Sequence, residues 1–486
     1  MSLAFSSNDA EAISRKIPIN ESGKRDHTFS LDDVYEIPRC VDWIKSNCFS
    51  KIALQFPDYL LEDATNVAIE LENSTHKEID ILGDTTYGSC CVDEIAALRG
   101  SADAIIHYGR ACLSPTSRLP VLYVFGKHFI DIQDATNAFR SLLTDVNSLI
   151  IILYEVTYSY AVGNLVGNLI EYKNITVSEL DIPGITSESS NVTEMNKDLI
   201  QIKKCGRKLF IPKTKNLNNF NIFYIGEQNE TLTNFMLSFN HCTFYSYYPL
   251  KKLFQVETLD VNKHLRRRYY YIEKTKDAKI IGILVGTLAV SNYMNIIEQL
   301  KELIENSGKK SYTLVIGKLN CAKLANFPQI EIFVNVACRE SSLIESRELY
   351  QPIIIPYELE IALNKARAWT GNYITDFGEL LPGAVNFISS PQGKEIDVDV
   401  SLVTGKTRSL GLSDDANIQP TTAPILATRD EMKLSTIHSQ AAGEFLTQLS
   451  WQGLEQHLGE TPVPEILEGR KGIASAYEDE LSDKSK

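Results

Sequence analysis

Lysine and arginine are in short supply for a chain of this length. There are 48 of them against 62 aspartates and glutamates in 486 residues, a formal net charge of −14. A field of that sign repels polyanions, so broad contact with nucleic-acid phosphates or an anionic membrane is excluded as the main task. Long apolar runs are missing too. The longest, Leu149–Tyr154, is of strand length, well below the roughly 18 residues of a spanning helix. Met1–Asp9 has no basic start leading into an apolar stretch, so nothing there reads as a secretory leader. The expectation is a cytoplasmic chain in a reducing compartment. Its nine cysteines are then free, catalytic or metal-bound rather than paired, and the glycosylation triplets at Asn174, Asn191 and Asn229 are chance matches.

Several familiar signatures are absent as well. Gly308-Lys309 and Gly317-Lys318 both lack the upstream glycine of a phosphate-cradling loop, and no G-x-G-x-x-G opens a helix. The spacing of Gly163 and Gly167 reads as helix packing. No G-x-S-x-G elbow follows a strand, which removes the common serine hydrolases. There is no C-x-x-C pair of the kind structural zinc uses, and no close-spaced three-cysteine loop. The basic run Arg266–Arg268 before Tyr269–Tyr271 reads as a solvated helix rather than an RNA contact.

What is present is a strand and helix alternation. At roughly 100–200 residues per domain the length suggests about three domains. Short β-branched runs separated by helix-length segments predict parallel strands with crossover helices. A first block carries Lys51–Phe56, Ile79–Gly83, Ala104–Tyr108 and Val121–Phe125, with a helix over Leu60–Asn73. A second carries Leu149–Tyr154, Ile175–Leu180, Phe220–Gly226 and Thr243–Tyr247, and a third Lys279–Val285, Tyr312–Ile316, Ile330–Val336 and Pro352–Pro356. The expected fold class is α/β, with three similar parallel-sheet domains in a threefold pseudo-repeat around a central cleft, plus a C-terminal tail. The expected division is a loose arm over residues 1–30, domains over 31–145, 146–275 and 276–390, and an extension over 391–486 without strand pattern. Ligands of such sheets sit beyond the carboxyl ends of the strands.

The cysteines fall there. Cys90 and Cys91 follow the second strand, Cys112 the third, and Cys338 the matching strand of the third block. Thiolates converging from distant loops suit an iron-sulfur cluster. Cys91, Cys112 and Cys338 are the candidate ligands, with Cys90 as alternate. Cys91 is preferred of the vicinal pair because Val92–Leu98 reads as a helix whose dipole would stabilise a thiolate at its first turn. Cys40, Cys48, Cys242 and Cys321, the last placed in a lysine-bearing loop, read as packing thiols. Cys205 is the only candidate from the second block, and no apolar strand directly precedes it.

Gly83–Asp93 together with Ile106–Pro115 resembles the diphthamide-synthase family. The match continues through Ile272–Ala278, Gly282–Leu288, Gly317–Asn320, Ala322–Phe327 and Trp369–Phe377 to Trp451–Glu455 and Gly469–Ala474, and is most similar to the second-subunit branch of the eukaryotic heterodimer. The resemblance implies a 4Fe-4S cluster and S-adenosylmethionine, which the complex splits homolytically to add a 3-amino-3-carboxypropyl group to a histidine of translation elongation factor two. It implies as partners a catalytic first subunit and a small cysteine-rich iron- or zinc-binding electron donor. Catalytic members draw one cluster cysteine from each domain, whereas here the second block offers only Cys205. This chain is therefore expected to be an accessory subunit whose cluster supports reduction of its partner's. The alternatives are a metal-free scaffold in the same complex and a quinolinate-synthase-like cluster enzyme. The roles of His107, Arg110 and Lys318 near the cleft stay open.

Overall fold

The apolar runs become strands because their side chains have nowhere to go but between layers. Ile52, Ala53 and Leu54, all of Ile150–Tyr154, all of Ile280–Val285 and all of Ile332–Val336 are buried, as expected of parallel strands covered on both faces. The computed structural model describes residues 28–83, 88–183, 198–317, 319–344, 349–390, 397–405, 407–410, 472–473 and 476–477. Two compact units divide the chain, 1–422 and 423–486. The described part of the second is an antiparallel pair, Gly472–Ile473 with Ala476–Tyr477.

In the first unit β1 (Lys51–Gln55), β2 (Glu78–Ile81), β3 (Ala104–Tyr108) and β4 (Val121–Val124) form a parallel sheet in the order β2-β1-β3-β4. A second sheet begins with β5 (Ile150–Tyr154) and β6 (Ile175–Val177), after which the chain leaves for β7 (Glu179–Leu180), β8 (Leu199–Lys204) and β9 (Arg207–Pro212). It resumes with β10 (Asn221–Ile225), β11 (Thr243–Tyr248) and β12 (Leu253–Val256), in the order β6-β5-β10-β11-β12, with β12 alone antiparallel. The third sheet is β13 (Ile280–Val285), β14 (Lys310–Val315), β15 (Ile332–Val336) and β16 (Ile353–Ile354), parallel and ordered β14-β13-β15-β16. In all three sheets the strand that comes first in the chain is flanked by the second and the third.

Helices cover these sheets with apolar stripes of period 3.6. Ala64, Val67, Ala68 and Leu71 of the helix Leu61–Thr75 pack with Ile52 and Leu54, and the helix stops where His76 takes a left-handed φ of 56°. Ile296, Ile297, Leu300, Leu303 and Ile304 of the helix Tyr293–Asn306 do the same against Ile281 and Ile283. The long helix Thr258–Asp277 joins the second sheet to the third. Among the described residues no helix is long and apolar enough to cross a membrane.

Four expectations change. Ile175–Leu180 is not one strand, because the Ser178 N–H ends the β6 ladder on Ile152 O and the next two residues pair with β9 in a three-stranded antiparallel sheet, β7-β9-β8. The tail is not strandless, since β17 (Asp397–Val400) and β18 (Thr407–Leu410) make a hairpin. Cys321 does not lie in a loop but opens the short helix Cys321–Ala325, capped by Asn320. Arg268 is on a helix as expected but is fully buried, its guanidinium paired with Glu358 and its Nε 2.6 Å from Glu358 Oε1. Residues 1–27, Lys318 and Trp451–Glu455 lie outside the described residues.

Candidate metal centre

Beyond the carboxyl end of the first sheet, Gln55 closes the strand β1 by bonding the next loop at two points. Its Nε2 donates to Cys91 O at 2.7 Å, and its Oε1 accepts from Asp93 N at 2.9 Å. Cys91 N reaches back to Gly88 O, and Cys112 N donates to Cys90 O at 2.9 Å. The loop after β3 is thereby tied to the loop after β2. The loop after β3 turns at Gly109, φ 84°, where a Cβ would lie 2.9 Å from Tyr59 Oη and 3.0 Å from Pro57 Cγ, so a side chain would be strained twice over. From the third sheet, Asn335 Nδ2 donates to Ser341 O and Ser342 O at 3.0 and 3.1 Å, folding the segment after β15 so that Cys338 faces the others.

The result is four buried thiols from three loops. The sulfurs of Cys90, Cys91, Cys112 and Cys338 all lie within 4.8 Å of one another. Cys90 Sγ is 3.7 Å from Cys338 Sγ, and Cys112 Sγ is 4.0 Å from Cys91 Sγ. Three of these are the sequence candidates and the fourth is the alternate, so the structure brings both members of the vicinal pair to the cluster. Neighbouring thiols and burial hold Cys90 and Cys91 well above the ordinary thiol range, while hydrogen bonds from Cys338, Cys90 and Cys91 pull Cys112 well below it. The helix expected to favour a Cys91 thiolate starts later, at Glu94. Its first turn is capped by Asp93, whose Oδ1 accepts from Ala96 N at 3.0 Å, and Cys91 is raised rather than lowered.

The remaining thiols stand apart. Cys40 is buried against Tyr108, and burial pushes it up to about 12. Cys242 is pushed up to about 11 in the same way, and Cys48 is exposed. Cys205 occupies the tip of the β8–β9 hairpin, where it and Gly206 both take positive φ, 49° and 70°, as a type I′ turn demands. Its thiol meets Ser238 Oγ at 3.0 Å and is outside the four-sulfur group. The hairpin nevertheless abuts the centre: a Cβ on Gly206 would lie 3.2 Å from Arg339 Nη1 and 3.7 Å from Cys112 O. A cavity of about 890 Å³ opens beside it, lined among others by Lys204, Cys205, Ser291, Asn292, Arg339 and Asp376.

Charged residues that sequence reasoning left without partners surround the thiols. Arg110 Nη2 donates to Glu340 Oε2 and to Thr231 Oγ1, each at 2.5 Å. Arg339 Nη2 donates to Leu113 O at 3.0 Å and lies 3.3 Å from Asp376 Oδ2. His107 is buried, its Nε2 is 3.2 Å from Arg110 O, and burial lowers its pKa. The only available signal was position, since Arg110 and Glu340 each lie two residues from a candidate cysteine.

Comparison with known proteins places this arrangement. A family model described as putative diphthamide synthesis protein matches residues 56–374. The 2-(3-amino-3-carboxypropyl)histidine synthase subunit 2 of Danio rerio is 45% identical over 99% of this chain and 98% of its own length. Proteins of the same name from Schizosaccharomyces pombe and Homo sapiens are 38% and 34% identical, covering 97% and 93% of this chain and 95% and 94% of their own. The crystal structure of Dph2 from Pyrococcus horikoshii with 4Fe-4S cluster superposes with a TM-score of 0.54 at 18% identity, covering 70% of this chain and 94% of that one, which is a likeness of fold. With a family model matching well over half of the chain and relatives matched along nearly their full length, the chain belongs to the diphthamide synthesis protein family, among its subunit 2 members.

Proposed function

We propose that this chain is the accessory, cluster-bearing subunit of the cytoplasmic heterodimer that transfers a 3-amino-3-carboxypropyl group from S-adenosylmethionine to a histidine of translation elongation factor two. On this reading its cluster supports reduction of the catalytic first subunit's cluster, with a small cysteine-rich protein as electron donor. The observation that carries the proposal is the four-thiol group. Buried soft donors with no disulfide and no other ligand type among them suit iron-sulfur chemistry. A 4Fe-4S cluster held there supplies one electron at a time. Cys91, Cys112 and Cys338 would hold three irons, and Cys90 stands close enough to hold the fourth. Four ligands leave no position for S-adenosylmethionine, which favours a supporting over a cleaving role for this chain. The common strand order supports a threefold pseudo-repeat around a central cleft, with domains over 31–145, 146–275 and 276–390.

A second reading has one observation of its own. Thiolates about 2.3 Å from a single tetrahedral ion stand about 3.8 Å apart, close to the 3.7 and 4.0 Å seen here, whereas a four-iron cluster needs the sulfurs to spread. Anaerobic purification of this chain by itself, followed by iron, sulfide and zinc quantification on it and its variants, separates the two. The cluster reading expects iron and sulfide in equal amounts in the unmodified chain, lost in Cys338→Ala and kept in Cys205→Ala. Zinc without sulfide, or near-normal iron and sulfide in Cys338→Ala, would sink it.

A further inference from the structure

Arg110 belongs to the loop that carries Cys112, Glu340 to the loop that carries Cys338, and Thr231 to the first turn of the helix Glu230–Ser238 in the second sheet's layer. The three side chains close a ring. Arg110 donates to both others at 2.5 Å, and Thr231 Oγ1 donates to Glu340 Oε2 at 2.8 Å. The second sheet, which contributes no thiol to the group, thus reaches the centre through this ring. Asn234, one helical turn further on, adds a second tie by donating to Arg339 O at 3.1 Å and Glu340 O at 3.3 Å. Arg339 in turn donates to Leu113 O at 3.0 Å, so the Cys112 and Cys338 loops are joined twice. The other contacts that cross at these cysteines are the long sulfur contacts of Cys90, to Cys338 Sγ at 3.7 Å and Ser341 Oγ at 3.6 Å, while the backbone bonds at Cys90, Cys91 and Cys112 stay within the first sheet.

We infer that Arg110, Glu340 and Thr231 form a clamp that sets the spacing of Cys112 and Cys338, and through it the metal affinity and reduction potential of the centre. They are positioning residues: each acts through the loops rather than on the metal. The inference rests on the proposal that the four thiols hold metal. The ion pair is partly buried, 29% and 13% of the two side chains being exposed, so removal of one partner strands the other in a poorly solvated place. Its loss should therefore loosen both loops together.

The test uses the full chain in two states. Cobalt(II) alone, added to the metal-free protein, reports whether four thiolates are preassembled through its thiolate charge-transfer absorption. The iron-loaded heterodimer then reports the midpoint potential and the electron paramagnetic resonance of the reduced centre. Arg110→Met should weaken cobalt binding by roughly tenfold to a hundredfold, the size usual for residues that orient metal ligands, and should shift the midpoint potential. Thr231→Val, which keeps the ion pair, should give a smaller change in the same direction. The charge-swapped double variant Arg110→Glu with Glu340→Arg should regain most of the affinity that either single variant loses.

Cobalt affinity and midpoint potential in Arg110→Met equal to those of the unmodified chain overturn the clamp while leaving the metal centre standing. A loss that the charge swap does not restore, with a lowered melting temperature in both, also overturns it, because it marks general loss of packing. An unmodified chain that shows no cobalt-thiolate absorption and takes up no iron overturns the metal reading itself, and the clamp with it.

Discussion

At the scale of single residues, the vicinal cysteines show what a one-dimensional reading resolves. The sequence favours Cys91 for its place before an expected helix and leaves Cys90 as the alternate, and adjacent side chains on extended backbone would indeed point to opposite faces. The turn closed by Cys91 N on Gly88 O bends the chain and lets both thiols face Cys338 and Cys112. A consequence is redundancy. Either Cys90→Ala or Cys91→Ala leaves one thiol of the pair in its loop beside Cys112 and Cys338, so that all three loops still supply a ligand, which Cys338→Ala does not allow. Each single variant should therefore keep most of its iron and sulfide but change its electron paramagnetic resonance, and the double variant should lose both. Near-complete iron loss in one single variant would show instead that this thiol is indispensable. The other cysteines were legible because position after a buried strand is a real signal, whereas Arg110 with Glu340 was not, because the pairing spans 230 residues. Arg268 was misread for a similar reason: a basic run looks solvated until its partner is known. A trace was present all the same, since Arg268, Ile272 and Thr275 share one helical face and all three are buried.

At the scale of elements, the central strands were legible and the edges were not. A strand buried on both faces reads as a continuous apolar run, which describes Ile150–Tyr154 and Ile280–Val285. In the hairpin β8–β9 no residue of β8 is buried and the strand ends in Lys203 and Lys204, while β9 opens with Arg207 and Lys208, so it has no such run, and its turn at Cys205-Gly206 depends on backbone conformation alone. The alternation Asp397-Val398-Asp399-Val400 did carry the period of two that marks β17. Between elements, the buried Arg268 and Glu358 pair fastens the helix Thr258–Asp277 to the helix Pro356–Leu363. Glu358 also accepts from Tyr373 Oη at 2.7 Å and from Ile355 N at 3.0 Å. Glu358→Ala would leave a guanidinium, a phenol and an amide without their acceptor in a site closed to water. The expected loss is about 3–5 kcal/mol, read as a lower urea midpoint with iron content followed in parallel. A change below about 1 kcal/mol would mean that the pair is no stronger than a surface one.

At the scale of the whole molecule, the four sulfurs belong to loops of the first and third sheets, elements separated by well over a hundred residues of chain. The bond between Cys90 and Cys338 sulfurs through a metal would close a loop of 248 residues. A group that binds the folded arrangement and not the unfolded chain stabilises it by mass action, so metal loading should hold the two sheets together as well as serve electron transfer. The acidic surface is indifferent to this, because the thiols are buried away from it. Stripping iron from the heterodimer with a chelator under anaerobic conditions should lower the melting temperature of this chain and expose Cys90, Cys91, Cys112 and Cys338 to alkylation. Reloading with iron and sulfide should reverse both. The variant with all four cysteines replaced by alanine should melt at one temperature whether or not iron is supplied. Equal melting of the loaded and stripped unmodified chain would show that the ion pairs of Arg110 and Arg339 hold the sheets together without the metal, and that the centre adds nothing to the assembly of the fold.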